Sequence, residues 1–163
     1  IFFEILIGYC NGVAPVISYH FGARNQVELK NLFKRCMVIM GVSGVGLLAL
    51  AQLLAVPLSR IFVGYDVELC DMTVKAFRIV CICFVLSGFN IFASSLFTAL
   101  NNGFVSAIIS TCRSIVFEAA CVLLLPLLFG INGIWFAIWG TEMATFALAA
   151  FFVIRKQKNY GYL

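Results

Sequence analysis

The sequence predicts an all-α protein, a polytopic transmembrane helix bundle with about five membrane helices. Of its 163 residues, 63% are hydrophobic and 11% are charged, a composition typical of membrane proteins and not of soluble domains. No residue from Ile79 to Cys112 carries a charge. About 20 residues span the ~30 Å hydrocarbon core, so this run is long enough for two crossings. Asn101-Asn102-Gly103 contains residue types that end helices, and it marks the turn between the two.

Charges and turn residues place the five helices in order. The first apolar segment stops before Arg24. The second follows a basic stretch and stops before a loop that contains Asp66. The third and fourth flank the Asn-Asn-Gly turn, and the fifth lies between Gly133 and Arg155. The predicted ranges are 1–21, 33–63, 74–100, 104–129 and 133–154. The chain opens inside an apolar segment without a Met, so we expect residues 1–163 to be the C-terminal part of one membrane lobe.

Residues 22–35 differ in character from the membrane segments. Apolar side chains such as Val27 and Leu29 alternate with charged ones such as Glu28 and Lys30. This pattern predicts a short amphipathic helix on the cytoplasmic membrane surface. It could act as a lipid-sensing element or simply as a linker whose lysines reach the headgroups.

The distribution of Lys and Arg predicts the topology of the chain. Cytoplasmic loops carry an excess of these residues. One basic cluster separates the first two helices and a second follows the fifth, whereas the loop 64–73 between them is acidic. The C-terminus of a multi-pass protein in the cell membrane is therefore expected in the cytoplasm. The basic residues are Arg24, Lys30, Lys34, Arg35, Arg155, Lys156 and Lys158.

Several function classes are disfavoured by the residues present. The chain has no HExxH, no paired His and no GxSxG, so we expect it not to be an enzyme. Its seven cysteines form no CxxC and lie mostly in apolar runs, where Cys acts as a small hydrophobe. We therefore expect no cofactor and no metal. The net charge of +4 sits in the two clusters and indicates topology, not a nucleic-acid partner.

Polar residues recur at helical spacing on three of the predicted helices. A polar face in lipid must turn toward other helices or toward water. The stripes can reflect hydrogen bonding between helices or a shared polar pathway. On the third helix we expect the stripe to point into the bundle, with Phe84 and Phe92 further from other helices. The stripes are Glu4, Gly8, Asn11, Pro15 and Ser18; Ser87, Asn90, Ser94, Thr98 and Asn101; and Ser106, Ser110, Ser114 and Glu118.

The charged residues within the apolar helices include Glu4, Arg113, Glu118 and Glu142. An ionised side chain at a helix centre costs roughly 2.5–3.5 kcal/mol, so such residues pair, titrate or line water. Arg113 and Glu142 each lie about 14 Å from one end of their helices and can meet near the middle of the bilayer. They can form a structural ion pair or belong to a pathway. The candidate ion or substrate pathway comprises Glu4, Asn90, Ser94, Arg113, Glu118 and Glu142.

Three stretches of the sequence carry a family resemblance. Residues 12–25, GVAPVISYHFGARN, contain the pattern G-x-x-P-x-x-x-Y-x-x-G-A, and the other two stretches are residues 95–103, SLFTALNNG, and 130–135, GINGIW. The first resembles the signature that closes the second helix of a lobe in multidrug and toxic compound extrusion (MATE) transporters. The other two are similar to later segments of that family, particularly its MepA-like bacterial branch. The resemblance implies twelve helices in two lobes around a central cavity. This chain would then supply the last five helices of the second lobe, with the N-terminal lobe as its partner.

The resemblance further implies a secondary active antiporter that exports drugs or other organic cations, driven by an H+ or Na+ gradient. Glu4, Glu118 and Glu142 are proposed as candidate carboxylates from their position in apolar helices alone. A lipid-linked oligosaccharide flippase of the same superfamily, or a membrane scaffold without transport activity, is the alternative. The flippase would need a more cationic cavity to hold pyrophosphate.

Overall fold

The computed structural model describes residues 2–162, without the side chains of residues 131, 132, 158 and 159. Seven α-helices and one π-helical segment make up this part of the chain, which contains no strand. The helices are α1 (Phe2–Gly22), α2 (Gln26–Val63), α3 (Val67–Cys81), α4 (Phe84–Ala99), α5 (Gly103–Thr111), α6 (Glu118–Phe129) and α7 (Ile131–Tyr160), with the π segment at Cys112–Phe117 between α5 and α6.

Four helices of the described chain are long and apolar enough to cross a membrane: Phe2–Gly22, Gln26–Val63, Gly103–Phe129 and Gly133–Gln157. The helices α3 and α4 meet the same test only as a pair, bent by 47°. The bundle therefore has four spans, or five if the bent pair counts as one. This confirms the predicted fold class of an all-α membrane bundle with about five helices.

The helix α2 begins earlier than the sequence predicted. Asn25 caps its first turn, where the side-chain oxygen accepts a hydrogen bond from the Glu28 amide at 3.2 Å. Residues 26–40 contain neither Gly nor Pro, so the helix continues into the membrane span without a break. Leu29 and Phe33 are buried. The apolar stripe of the expected surface helix thus packs on the bundle, and the segment 22–35 is not a separate amphipathic element.

The third predicted span is divided. Asp66 begins α3 by accepting hydrogen bonds from the amides of Glu68 and Leu69, at 3.0 and 3.2 Å. Much of the predicted acidic loop is therefore helical. The helix stops at Cys81, and α4 starts at Phe84 in a new direction. Neither Gly nor Pro lies between Ile79 and Leu86, so no local signal predicts the bend.

The centre of the bundle is α4, which packs against α1, α2, α5 and α7. Small residues allow this contact. A Cβ at Gly44 of α2 would lie 2.9 Å from the Val85 Cα. The expectation that Phe84 and Phe92 lie further from other helices than the whole polar stripe of this predicted helix is wrong. They are only 5% and 2% exposed, because neighbours surround α4 on several sides.

The two basic clusters lie at the same end of the bundle. The ring of Phe33, near the start of α2, lies 5.2 Å from the ring of Tyr162. The Tyr162 hydroxyl donates to the Val153 carbonyl at 2.8 Å, which folds the end of the chain back onto α7. Because Phe33 and Tyr162 belong to segments that carry the two clusters, their charges share one membrane surface.

Candidate functional site: a polar cavity between the helices

A cavity of about 640 Å³ lies between α1, α4, the α5–α6 span and α7. Five of the six predicted pathway residues line it: Asn90, Ser94, Arg113, Glu118 and Glu142. The sixth, Glu4, is not among the residues that line it. It is an exposed side chain in the first turn of α1. The structure thus brings the polar stripes of α4 and the fourth span together.

The carboxylate of Glu142 lines the cavity and is buried, since the residue is 4% exposed. The Arg113 guanidinium donates to Glu142 Oε1 from Nη2 at 2.5 Å and from Nε at 3.2 Å. Asn90 Nδ2 donates to Glu142 Oε2 at 2.7 Å and to the Glu142 carbonyl at 3.0 Å. Both carboxylate oxygens are therefore satisfied, as a buried charge requires. The ion pair that the depth estimates suggested is present.

The backbone around Arg113 explains part of this geometry. Arg113 lies in the π-helical segment, and such insertions are common at functional sites of α-helices. The next turn begins α6 with Glu118. The widened turn carries Arg113 and Glu118 on the same wall of the cavity. A strict α-helix would rotate two residues five positions apart by about 500°, far from one shared face.

Hydroxyl groups connect α4 to α5 beside the ion pair. Ser94 Oγ lies 2.9 Å from Ser106 Oγ and 2.8 Å from Ser110 Oγ. Thr98 Oγ1 lies 2.7 Å from Ser106 Oγ. The hydroxyls of Ser94, Thr98 and Ser110 therefore take part in contacts between the helices and also line the cavity, while a shared pathway stays a prediction.

Two polar groups of the cavity lack a partner in the described part of the chain. Asn90 Oδ1 is fully buried and accepts no hydrogen bond, although its amide nitrogen is bonded twice. The Glu118 side chain is exposed on the cavity wall, and the described side chains include no ion pair to it. A buried acceptor without a donor is uncommon. Together the two groups offer oxygen atoms to a positively charged or hydrogen-bond-donating guest.

Thr141 also lines the cavity, although no pattern in the sequence indicated it. Its Oγ1 donates to the Ala137 carbonyl at 2.9 Å, and it lies beside the Phe117 carbonyl at 3.4 Å. This links α7 to the π segment directly next to Glu142. In the sequence, Thr141 is marked only by its position next to the intramembrane carboxylate Glu142. Composition and periodicity do not distinguish it from other threonines in helices.

Comparison with known proteins adds one finding. The family model described as MatE matches residues 1–124, which are 124 of the 163 residues. No curated protein and no solved structure matches the chain. The match includes every cavity residue on α1, α4 and the α5–α6 span, and it stops before α7.

Proposed function

We propose that this chain, which belongs to the MatE family of membrane transporters, is part of a secondary active antiporter that exports organic cations through the polar cavity. The family match confirms the resemblance seen in the sequence, while the MepA-like bacterial branch stays a prediction. The pathway would be completed by the N-terminal lobe of the same transporter. We place the whole in the cell membrane as a multi-pass protein.

The observation that carries this proposal is the charge balance of the cavity. Its lining contains one cation, Arg113, and two carboxylates, Glu118 and Glu142. Arg113 is engaged by Glu142 at 2.5 Å, which leaves Glu118 as the uncompensated charge. The charged groups of the lining therefore sum to a net negative charge, which attracts ions of positive charge. The lining therefore favours a cationic guest.

Coupling follows from competition for the same carboxylate. Glu118 lines the cavity without an ion-pair partner among the described side chains, so it is available to an incoming cation. If H+ or Na+ occupies Glu118 in one conformation and the organic cation in the other, each shifts the equilibrium by its differential affinity. An inward ion gradient then drives the outward step.

The flippase alternative is not favoured by this cavity. Holding a pyrophosphate would require several free cations, and among the described side chains the lining offers only Arg113, which already pairs with Glu142. A scaffold would need no uncompensated carboxylate on a cavity wall.

Transport by the complete protein in proteoliposomes tests the proposal. We expect an imposed proton or sodium gradient to drive movement of a fluorescent organic cation such as ethidium. A fluorescent lipid-linked pyrophosphate should not cross faster than in protein-free vesicles. Translocation of the pyrophosphate without movement of the cation would overturn the proposal in favour of the flippase.

The orientation is a separate part of the proposal. The shared end of the two basic clusters would face the cytoplasm, with the C-terminus inside. Asn31 is exposed near the start of α2 and is suited to labelling. In a background without the native cysteines, an impermeant thiol reagent should leave Asn31→Cys unlabelled in intact cells. Labelling from outside the cell would show that this end of the bundle faces outward and would contradict the proposed orientation.

A further inference from the structure

A second crevice lies between α2, α4 and α7, away from the polar cavity. Its volume is about 250 Å³, and only apolar residues line it. Phe33 and Met37 form the α2 wall, and Phe146 and Ile154 belong to α7. Phe146 and Ile154 are also exposed at its rim. The crevice therefore opens on the outer surface of the bundle, where the bilayer is the surrounding medium.

The packing of the helices leaves this space unfilled. Both α2 and α7 pack on α4, but they do not pack closely on each other. Ala93, Ala149 and Ala150 face the space and are too small to fill it. An empty apolar void loses its dispersion contacts, so an apolar guest stabilises it. The volume is below the ~300–1,000 Å³ of pockets for drug-sized ligands, which favours a single hydrocarbon chain.

The basic end of the bundle lies next to one end of this crevice. On α2, Lys30 precedes Phe33 by three residues and Met37 by seven, so the three share a helix face. Lys34 flanks the same face, and both lysines are exposed. Glu28, the one acidic residue between Arg24 and Arg60, is two residues from Lys30 and points to the far side of the helix.

The end of α7 adds to this positive charge. Arg155 and Lys156 follow Ile154 directly, the first exposed and the second half-buried. No acidic residue occurs after Glu142. An apolar crevice that ends at several cations is complementary to a lipid with an anionic headgroup.

We propose that this crevice binds one acyl chain of an anionic phospholipid, whose phosphate is held by Lys30 and Lys34. Phe146 to Ile154 spans eight residues of α7, a length of about 12 Å along the helix. The acyl chain would lie along this length, with the headgroup at the membrane surface that carries both basic clusters. The site is independent of the export pathway, since no residue lines both spaces.

Tryptophan quenching tests this site in the full chain. Trp135 and Trp139 are replaced by Phe, and Phe146→Trp supplies one reporter in the crevice. The protein is reconstituted into vesicles that contain brominated phosphatidylglycerol or brominated phosphatidylcholine. The brominated phosphatidylglycerol should quench the reporter at a lower mole fraction than the brominated phosphatidylcholine does. The difference should be about fivefold for each lysine that contacts the phosphate. Ile154→Trp serves as the reporter if the first variant does not fold.

Charge variants identify the headgroup site. The double change Lys30→Gln/Lys34→Gln should remove the preference for phosphatidylglycerol and leave quenching by phosphatidylcholine unchanged. The matched control is Lys75→Gln/Arg78→Gln, because both residues are exposed on α3 and lie outside the crevice. It should retain the preference.

Three results would overturn the proposal. Equal quenching by the two lipids would show that the headgroup is not recognised. A preference that survives Lys30→Gln/Lys34→Gln would place the phosphate elsewhere. Absence of quenching by either lipid would mean that a second copy of the chain or another segment fills the crevice.

Discussion

The helices α4 and α6 are both short and apolar, yet α4 buries nine of its 16 residues and α6 buries none of its 12. The helix α4 packs against four other helices, whereas α6 packs on α7 and the adjoining π segment, and the side chains of the two helices differ as well. On α4, small and polar residues such as Gly88, Asn90 and Ser94 alternate with large ones. On α6, a run of leucines follows Glu118. In lipid, hydrophobicity does not drive helices together, whereas small residues and hydrogen bonds do.

This contrast assigns different roles to the two walls of the cavity. The α4 wall contributes Asn90 to a buried, fully bonded carboxylate at Glu142. The α6 wall presents Glu118 without an ion-pair partner among the described side chains. A structural ion pair and an available carboxylate therefore face the same space. Substitutions at the two residues should therefore affect stability and transport differently.

Removal of Arg113 should give the largest loss of stability. Arg113→Ala leaves the buried Glu142 carboxylate without its cation, and breaking such a pair costs about 3–5 kcal/mol. We expect a correspondingly lower unfolding midpoint in detergent. The matched variant Glu118→Gln should change the free energy of unfolding by less than about 0.5 kcal/mol, because exposed sites outside such networks tolerate substitution.

The double variant Arg113→Ala/Glu142→Gln controls for this interpretation. Replacing the carboxylate by a neutral amide should restore much of the stability that Arg113→Ala loses. If the double variant were as unstable as the single one, the loss would come from altered packing of the π segment and not from a stranded charge.

Shortening a leucine should affect α4 far more than α6. Leu96 is 1% exposed and Leu127 is 82% exposed. Leu96→Ala leaves a cavity in the bundle and should cost about 2–3 kcal/mol. Leu127 faces the surroundings, so Leu127→Ala should lower the free energy of unfolding by less than about 0.5 kcal/mol. Equal losses in thermal unfolding would contradict the assignment of α4 as the centre of the bundle.

Substitution of two glycines on α2 by alanine should have the smallest effect on stability. The Cβ of Gly44→Ala would lie 2.9 Å from the Val85 Cα, whereas the Cβ of Gly46→Ala would meet nothing within 4 Å. Moving α2 away from the bent pair should cost about 1–2 kcal/mol for Gly44→Ala. Gly46→Ala should be neutral or stabilising, because alanine favours the helix. The reverse order would mean that α2 and α4 do not cross at this point.

Two simple patterns in the sequence predicted the fold class and most of the polar residues that line the cavity. Helical spacing of polar residues placed Asn90 and Ser94 on one face, and the rise per residue placed Arg113 level with Glu142. Both the spacing and the rise are distances along a single helix. They can therefore be read from the sequence wherever that helix is regular.

The features that the sequence did not predict depend on contacts between helices. The bend after Cys81 has no Gly or Pro, and the π segment at Arg113 has no composition signal. Glu4 fell on a polar stripe, but its position at the start of α1 leaves it outside the cavity lining. Burial of Phe84 and Phe92 likewise reflects how many neighbours α4 has, which a single helix does not reveal.

In the proposed export pathway, Glu118 is the available carboxylate. This role is tested most directly by pH-dependent, gradient-driven efflux from vesicles that contain the complete transporter. Glu118→Gln should abolish the efflux while the protein remains inserted and folded. Ser114→Ala, on a neighbouring cavity residue, should preserve it. Normal pH-dependent efflux by the double variant Glu118→Gln/Glu142→Gln would contradict the claim and place the coupling site outside this chain.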